Sequence, residues 1–545
     1  MTNLERSESQ ETSIEDDIEC LNEDHVSKEL QKTTSAVSVV YFAIPNFEEI
    51  SRFREILFMA FMCTSQLLTQ AAVAQTMNTS VEISETFNVS TKPGEISWFA
   101  AAFSMTVGTF ILISGRLGDM FGYKRMYIIG YIWFGIASLL CGFAGLTKEP
   151  IFFDTMRALQ GIGPAIMMPN TQALIGSFYP EGMRKNICMA MFGAVAPSGF
   201  LVGALFSGLL TVRVWWAWTF WICGIVSIMV AVASFFVIPK RIGVKSGGSF
   251  DYWGSLFGVS GLVLINFAFN QGPNVGWSTV YVYVLLIVGF ICMGIFYLVE
   301  KRVKDPLVPP EVLKGETGFV LGCIAAGWSC FGVWLFYQFR WALIVDNNNP
   351  IIAAVTNIPT GFVGVFAAIT TALLLMKIPS AVVMFFAMLA FLVGIVLMGT
   401  RPVGQTYWAQ KFVSLLIQPM GMDMSFPAAC ILLSSAFPRR QQGIAGSLVS
   451  TFVNYSISIG LGFAGTVEYY TTRNMEPSLE TTIHGMRNAF YMGMGLAGVG
   501  VILSTIFMII QLLNRRSLEK NNSSIDELPS SSGEEAPSNE EEVLS

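Results

Sequence analysis

The sequence predicts an all-α integral membrane protein with about fourteen transmembrane helices. Of its 545 residues, 53% are hydrophobic and 13% are charged, whereas about a quarter of the residues in soluble domains are charged. The apolar residues fall in repeated runs of roughly 18–25 residues, the length that crosses ~30 Å of hydrocarbon as a helix. These runs are continuous and do not alternate with polar residues, which excludes a transmembrane barrel.

The apolar runs divide the chain into predicted spans. They lie near residues 55–77, 96–114, 126–146, 151–176, 186–211, 215–238, 252–272, 277–299, 318–339, 350–376, 379–400, 407–435, 443–467 and 485–512. The acidic segments 1–54 and 513–545 flank them and have the composition of disordered cytoplasmic tails. Because the number of spans is even, both termini are expected on the same side of the membrane.

Basic residues identify that side as the cytoplasm. The loops on the side of the termini carry Arg116, Lys124, Arg125, Arg184, Lys185, Lys240, Arg241, Lys245, Lys301, Arg302, Lys304, Lys314, Lys377, Arg439 and Arg440, far more than the opposite loops. The loop after the first span is then extracellular, and its two sequons predict glycosylation at Asn78 and Asn88. We expect a multi-pass protein of the plasma membrane, with the vacuolar membrane as the alternative.

The rarest reactive side chains exclude several classes of function. The nine cysteines lie mostly inside apolar runs, where a thiol packs as a small apolar group and forms no disulfide framework. Only two histidines are present, which leaves little material for a metal site or a Ser/His/Asp triad. The sequence therefore predicts no enzyme, no cofactor or metal and no nucleic-acid partner, and we expect a monomer in the lipid bilayer.

Between the second and third runs lies a compact charged loop, Gly115-Arg-Leu-Gly-Asp-Met-Phe-Gly-Tyr-Lys-Arg125. Glycines alone would suffice for the turn, so an aspartate among basic residues predicts a conformational lock that binds another helix end. The pattern resembles the signature of the major facilitator superfamily, with Gly115, Gly118, Asp119, Gly122, Lys124 and Arg125 at matching positions. In this lock we expect Asp119 to face a helix N-terminus, and Arg116 and the other basic residues to face acidic partners or lipid.

Span four carries an arginine within hydrocarbon, which costs ~2.5–3.5 kcal/mol on insertion scales. The segment Arg157-Ala-Leu-Gln160-Gly161-Ile-Gly163 resembles a second motif of the superfamily. Asp154 lies one turn earlier on the same helix face. The two charges predict either a structural ion pair or a part in proton coupling.

Further segments resemble the fourteen-helix branch of the drug:proton antiporters, and within it the fungal aminotriazole-resistance and boron-export group and the low-affinity ammonium transporters. They include Gln66-Leu-Leu-Thr-Gln70 and Gly421-Met-Asp423-Met-Ser-Phe-Pro427. The resemblance implies the major facilitator fold, with six-helix bundles at 55–238 and 318–512 and two inserted helices with cytoplasmic connections at 239–317. A solute would bind midway across the membrane while the bundles rock about it.

A carboxylate deep inside a span is a candidate for function. Asp423 lies in span twelve between Pro419 and Pro427, which interrupt the hydrogen bonding of the helix. We interpret Asp423 as a proton-coupling residue, with packing against a neighbouring helix as the alternative. Glu468, at the end of span thirteen, is expected to reach water.

Polar and aromatic side chains in the spans are the candidate solute ligands. Gln66 and Gln70 share a face of span one, where cation antiporters of this branch usually have an aspartate, and Asn454 lies in span thirteen. Their amides favour a small or neutral solute, although an isolated amide can equally join two helices. Trp328 and Trp334 in span nine are predicted to offer a π surface to a small cation.

The predicted function is transport of a small solute by a secondary transporter, either linked to protons or driven by the solute gradient alone. Low-affinity ammonium transport competes with export of boron compounds or small drugs. A nutrient sensor on the same fold is the alternative from another class, and the short acidic tails do not favour it.

Overall fold

A computed structural model describes residues 51–180, 182–239, 250–303, 306–309, 315–436 and 442–526. The regular elements in these ranges are all helical, so the predicted all-α fold is confirmed. Within them, 13 helices are long and apolar enough to cross a membrane. Residues 1–50 of the predicted tail at 1–54, the connecting residues 240–249, 304–305, 310–314 and 437–441, and the last residues after Asp526 lie outside the described ranges.

The helices follow the predicted order. The first part of the chain forms α1 (Arg52–Asn78), α2 (Ser80–Thr86), α3 (Pro93–Phe121), α4 (Tyr123–Thr147), α5 (Pro150–Phe178), α6 (Met183–Arg213) and α7 (Ala217–Val237). The two helices that the sequence predicts as an insert are α8 (Tyr252–Val275) and α9 (Val280–Glu300). The last part forms α10 (Glu316–Arg340), α11 (Pro350–Thr356), α12 (Ile358–Leu375), α13 (Ser380–Gly399), α14 (Gln410–Ala436), α15 (Gln442–Thr472) and α16 (Leu479–Asp526).

One predicted span, α5, falls outside the set of strongly apolar helices. It has 29 residues, which is enough to cross a bilayer. Its sequence contains Asp154, Arg157, Gln160 and Asn170, and the last three of these are buried. The polar side chains of this span are therefore directed into protein and not into lipid.

Several boundaries differ from the prediction, and three of these differences are in spans nine, ten and fourteen. Span ten is divided at Asn357 into α11 and α12, and Pro359 in the first turn of α12 lacks the N–H that would continue the earlier helix. Span nine extends beyond Arg340 through a π-helical segment, Trp341–Val345. The last helix, α16, continues to Asp526, so the first part of the segment expected to be a disordered tail is helical.

The chain divides into two compact units. The first comprises the residues up to Ser90, Ala102–Ala268 and Ser278–Pro309. Its closest helix pairs are α4 with α5, α1 with α6 and α4 with α7. Large aromatic side chains fill its core, among them Phe58, Phe103, Tyr127, Tyr131, Phe134 and Phe178.

The second unit comprises Thr91–Ala101, Phe269–Trp277 and the residues from Pro310 onward. Here α13 packs on α14, while α10 packs on α15 and α16. The apolar stretch of α10 is 83% buried, against 17% for that of α9 in the first unit. We therefore place α10 at the centre of its unit and assign the exposed apolar face of α9 to lipid.

Candidate functional site

The buried arginine of α5 is held by neutral groups on several helices of the first unit. Arg157 is fully buried and donates to the Oε1 atom of Gln160 and, over 3.3 Å, to the carbonyl oxygen of Ala72 in α1. Gln160 in turn donates from Nε2 to the Ser138 hydroxyl in α4 over 2.6 Å. The Arg157 guanidinium also lies 4.6 Å from the ring centroid of Phe103 in α3, a cation–π distance.

Asp154, the predicted partner, lies close enough to Arg157 for its charge to act on the guanidinium. The charge of Asp154 therefore acts on Arg157, and the hydrogen bonds described above also hold the arginine. A charge held by amide, carbonyl and aromatic groups avoids the cost of an unsolvated cation. The role of this pair in proton coupling stays a prediction.

The glycines of the same motif let α5 approach its neighbours closely. A Cβ atom on Gly161 would lie 2.4 Å from the carbonyl oxygen of Phe103 in α3, and one on Gly163 would lie 2.5 Å from Cβ of Phe134 in α4. Carbon atoms do not approach other heavy atoms so closely without displacement. The arginine motif thus combines a buried cation with the small residues that bring the surrounding helices around it.

The charged loop at 115–125 is shorter than its sequence suggests, because most of it is helical. Gly115, Arg116, Gly118 and Asp119 belong to the last turns of α3, and only Gly122, with a φ of +96°, separates α3 from α4. Asp119 accepts a 2.7 Å hydrogen bond from the Tyr123 hydroxyl at the start of α4, and the charge of Arg116 acts on it. Asp119 therefore joins the two helices that meet at Gly122.

Lys124 has a partner that the sequence did not indicate. Its ammonium group donates to the carbonyl oxygens of Phe235, over 2.8 Å, and of Ile238, at the C-terminus of α7. Arg54 donates from Nε to the carbonyl oxygen of Val237 at the same helix end, over 3.1 Å. The negative end of the α7 dipole therefore supplies partners for Lys124 in addition to the acidic or lipid partners that the sequence predicts. Arg125 is exposed.

In the second unit, Asp423 lies on α14 between the interior prolines Pro419 and Pro427. The residue is half-buried, and its Oδ2 atom is buried without a hydrogen-bond partner. A buried carboxylate oxygen without a partner is costly, so this atom suits a bound proton or a donor brought by a solute. Within the described ranges, no three His, Cys, Asp or Glu side chains come together as metal ligands.

The two tryptophans of α10 are not open to a solute. Trp328 and Trp334 are 7% and 2% exposed. Trp328 donates from its indole nitrogen to the hydroxyl of Ser425 over 3.1 Å, and Trp334 donates to that of Ser414 over 2.8 Å. Both serines belong to α14, so these side chains hold α10 against α14, and the predicted π surface for a cation is not accessible in this arrangement.

The candidate amides differ in their surroundings. Gln66 is 9% exposed, and its Oε1 atom is buried without a donor, whereas Gln70 on the same helix is half-buried. Asn454 donates to the carbonyl oxygen of Ser450 on its own helix over 3.0 Å. Gln66 is thus the candidate ligand with unused hydrogen-bonding capacity, and Asn454 is bound locally.

A buried ion pair that the sequence analysis missed lies in the second unit. Glu468 is 2% exposed and does not reach water, contrary to expectation. Arg340 donates to both of its carboxylate oxygens, over 2.9 and 3.1 Å, and the Tyr337 hydroxyl donates to it over 2.7 Å. Arg340 stands between Phe339 and Trp341, and a basic residue inside such an apolar run was the available signal.

The two sequon asparagines lie in opposite environments. Asn78 is fully buried and donates to the carbonyl oxygen of Ala204 over 2.9 Å. This position leaves no space for a glycan, so the expectation for Asn78 disagrees with the structure. Asn88 is exposed and adopts a φ of +56° at the end of a turn. Asn88 therefore stays the predicted acceptor.

Known proteins resemble this chain over most of its length. The sequence pattern of the Major Facilitator Superfamily matches residues 56–381. An uncharacterized MFS-type transporter of Schizosaccharomyces pombe is 48% identical over 466 residues, 85% of this chain and 89% of that protein. The low affinity ammonium transporter of Saccharomyces cerevisiae is 47% identical over 457 residues, 83% of this chain and 88% of that protein. The aminotriazole resistance protein of the same yeast is 36% identical over 478 residues, 87% of each chain.

These relatives confirm the resemblance inferred from the motifs. Among solved structures, a POT family transporter in complex with a thioalcohol conjugated peptide matches with a TM-score of 0.61 at 14% identity, over 84% of this chain and 96% of that one. At such low identity the likeness concerns the fold alone, which it confirms as the predicted one.

Proposed function

Because the chain belongs to the major facilitator superfamily and is a membrane transporter, we propose that it moves a small solute by alternating access and that Asp423 links this movement to protons. The proposal rests on the Oδ2 atom of Asp423, which is buried without a hydrogen-bond partner on a helix that has two interior prolines. When the carboxylate binds a proton, the cost of burying its unpaired charge is removed. When the site opens to water, the carboxylate can release the proton and become charged again.

The solute that we propose is ammonium, taken up with low affinity. The support is the 47% identity to a protein named for that activity, together with the amide side chains of Gln66 and Gln70 in α1. Gln66 Oε1 has no donor in the protein, and an ammonium ion supplies N–H groups to such an acceptor. The alternative solute is a small neutral drug or boron compound, which the relative named for aminotriazole resistance supports.

The experiment is solute flux in liposomes that contain the purified full-length protein. Radiolabelled methylammonium serves as the ammonium analogue, and uptake is measured with and without an imposed pH gradient. We expect the gradient to accelerate uptake by the natural protein and to have no effect on Asp423→Asn. The control is Glu480→Gln, which makes the same chemical change at an exposed carboxylate.

Each outcome separates one part of the proposal from the others. Gradient-dependent flux that persists in Asp423→Asn would exclude Asp423 as the coupling residue. Flux of aminotriazole without flux of methylammonium would replace ammonium with a neutral solute. Failure to move either solute, with binding retained, would favour the sensor over the transporter.

We also propose that both termini are cytoplasmic, that the protein resides in the plasma membrane, and that residues 115–125 form a conformational lock. The support for the orientation is the excess of basic residues in the loops predicted to share a side with the termini, and the exposure of Asn88 in the loop that this orientation makes extracellular. The support for the lock is that Asp119 and Lys124 each bind a group on another helix. Epitope tags at each terminus, tested for antibody access in intact and permeabilised cells, check the orientation.

A further inference from the structure

One end of the second unit carries more buried positive than negative charge. Arg401, just after α13, donates from Nη1 to the Oδ2 atom of Asp346 over 2.9 Å. The ammonium group of Lys411, in the first turn of α14, lies 3.5 Å from the same oxygen. Arg487 of α16 donates from Nη2 to the carbonyl oxygen of Arg401 over 3.2 Å. Arg401 and Lys411 therefore share one carboxylate, and Arg487 is joined to them through the backbone of Arg401.

The two cations that share Asp346 are shielded from water. The side chains of Arg401 and Lys411 are 3% and 2% exposed, and that of Asp346 is 15% exposed. Among the described residues, Asp346 is the carboxylate within ion-pair distance of Arg401 and Lys411. Glu468 is already bound by Arg340 and Tyr337. The cluster of Asp346, Arg401, Lys411 and Arg487 thus has an excess of positive charge, and an uncompensated buried charge is strongly unfavourable.

The same region also contains N–H donors without acceptors. The Nε atoms of Arg401 and Arg487 and the indole nitrogen of Trp341 are buried and have no hydrogen-bond partner. The Arg487 guanidinium lies 5.9 Å from the ring centroid of Trp341, so the donors of these residues are neighbours. Trp341 is fully buried in the π-helical segment that leads to Asp346. An anion would accept hydrogen bonds from the unpaired donors and would also balance the excess positive charge.

We propose that Arg401, Arg487 and Trp341 form a binding site for a small inorganic anion of the size of chloride. The anion accepts from the unpaired N–H groups and compensates the positive charge that Asp346 leaves unbalanced. Its binding stabilises the junction of α10, α13, α14 and α16. The inference is independent of the proposed solute and of the role of Asp423.

The test is the thermal unfolding of the purified full-length protein in detergent, followed by tryptophan fluorescence. Sodium chloride replaces sodium gluconate stepwise at constant ionic strength, and bromide is tested in the same way. We expect the melting temperature to rise with chloride or bromide and to reach a plateau, because gluconate is too large for a buried site. Arg487→Gln, which changes a half-buried residue, should weaken the apparent chloride affinity about tenfold, equivalent to ~1.4 kcal/mol.

Arg473→Gln is the matched control, since Arg473 is an exposed arginine in the same unit and should keep the full chloride response. Arg401→Gln is expected to abolish the response; should this variant fail to fold, Arg487→Gln decides alone. Equal melting temperatures in chloride and gluconate would overturn the proposal and leave water as the occupant. A chloride response in Arg487→Gln equal to that of the natural protein would overturn it as well.

Discussion

Arg340 Nη1 lies 2.9 Å from Glu468 Oε2, and both side chains are only 3% exposed. Tyr337 donates to the same carboxylate, so its charge is balanced and its oxygens are hydrogen-bonded. Such a pair gains little over well-packed apolar residues, but removing one partner leaves the other charge buried and unpaired.

We therefore predict that Glu468→Gln lowers the free energy of unfolding by ~3–5 kcal/mol. Chemical unfolding in mixed micelles and the melting temperature measure the change. Glu476→Gln, at an exposed carboxylate near the end of α15, should have almost no effect. The double variant Arg340→Leu, Glu468→Leu should recover much of the loss. If the double variant were less stable than Glu468→Gln, the ion pair would add net stability to the fold and would not merely cancel the cost of burying its two charges.

The close approach of α5 to α3 gives a second prediction. Gly161→Ala places a methyl group 2.4 Å from the Phe103 carbonyl oxygen, so α5 must shift, with an expected cost of ~1–3 kcal/mol. Gly176→Ala on the same helix is the control, because the nearest atom to its Cβ lies at 3.7 Å. Melting temperatures of the two variants in detergent provide the comparison. Equal temperatures would mean that the helices are packed less closely at Gly161.

The cap on α7 predicts a local effect of Lys124. Replacing Lys124 with Met removes a cation from the C-terminus of that helix, which is worth ~0.3–1 kcal/mol. Hydrogen exchange of the peptide around Phe235–Ile238, read by mass spectrometry, should therefore accelerate. Arg125→Met, which removes the neighbouring exposed charge, should leave this peptide unchanged. Acceleration of the same size in both variants would contradict a specific cap.

The short helix α2 contains a carboxyl group whose titration affects stability. Burial raises the pKa of Glu82 from 4.5 to about 7, and the charge of Glu85 adds to the shift. The folded protein thus binds a proton more readily than the unfolded chain, so this stability is fully present below the unfolded pKa and is lost as the pH rises through 7.

Glu82→Gln should therefore raise the melting temperature at pH 8 relative to the natural protein, and the difference should shrink towards pH 5. Thermal unfolding across this pH range measures the effect. Glu149→Gln, at an exposed carboxylate between α4 and α5, serves as the control. A melting temperature that responds to pH in the same way in Glu82→Gln and the natural protein would assign the titration to another group.

The exposure of Asn88 predicts a single N-linked glycan in the loop between α1 and α3. Asn88→Gln should abolish the mobility shift that endoglycosidase treatment produces on a gel, because Asn78 is buried against Ala204. Asn78→Gln should leave the shift intact. A shift that persists in Asn88→Gln and disappears in Asn78→Gln would require a different arrangement of this loop.

The spans were predictable because each depends on a local property, the continuous apolar length that a bilayer requires. The same reasoning placed α8 and α9 and the polar α5. It could not divide span ten at Asn357 or extend α16 to Asp526, since helix ends depend on hydrogen bonds beyond the apolar core.

The contacts of the candidate site were less accessible, because they join residues far apart in the chain. Trp328 and Ser425 are 97 residues apart, and Arg340 and Glu468 are 128 apart. A tryptophan in an apolar span can line a cavity or fill a core, and only its partner decides between them. Lys124 illustrates the same limit. Every residue has a backbone carbonyl group, so the sequence does not show which helix end a lysine will bind.

The π-helical segment Trp341–Val345 sets the direction, around the helix axis, in which the residues after it point. An α-helix turns by ~100° per residue, and a π turn contains one additional residue. Arg340 and Asp346, at the two ends of this segment, therefore point to separate partners, Glu468 on one side and Arg401 on the other. Deletion of a single residue between them would rotate Asp346 by ~100° and leave Arg340 in place.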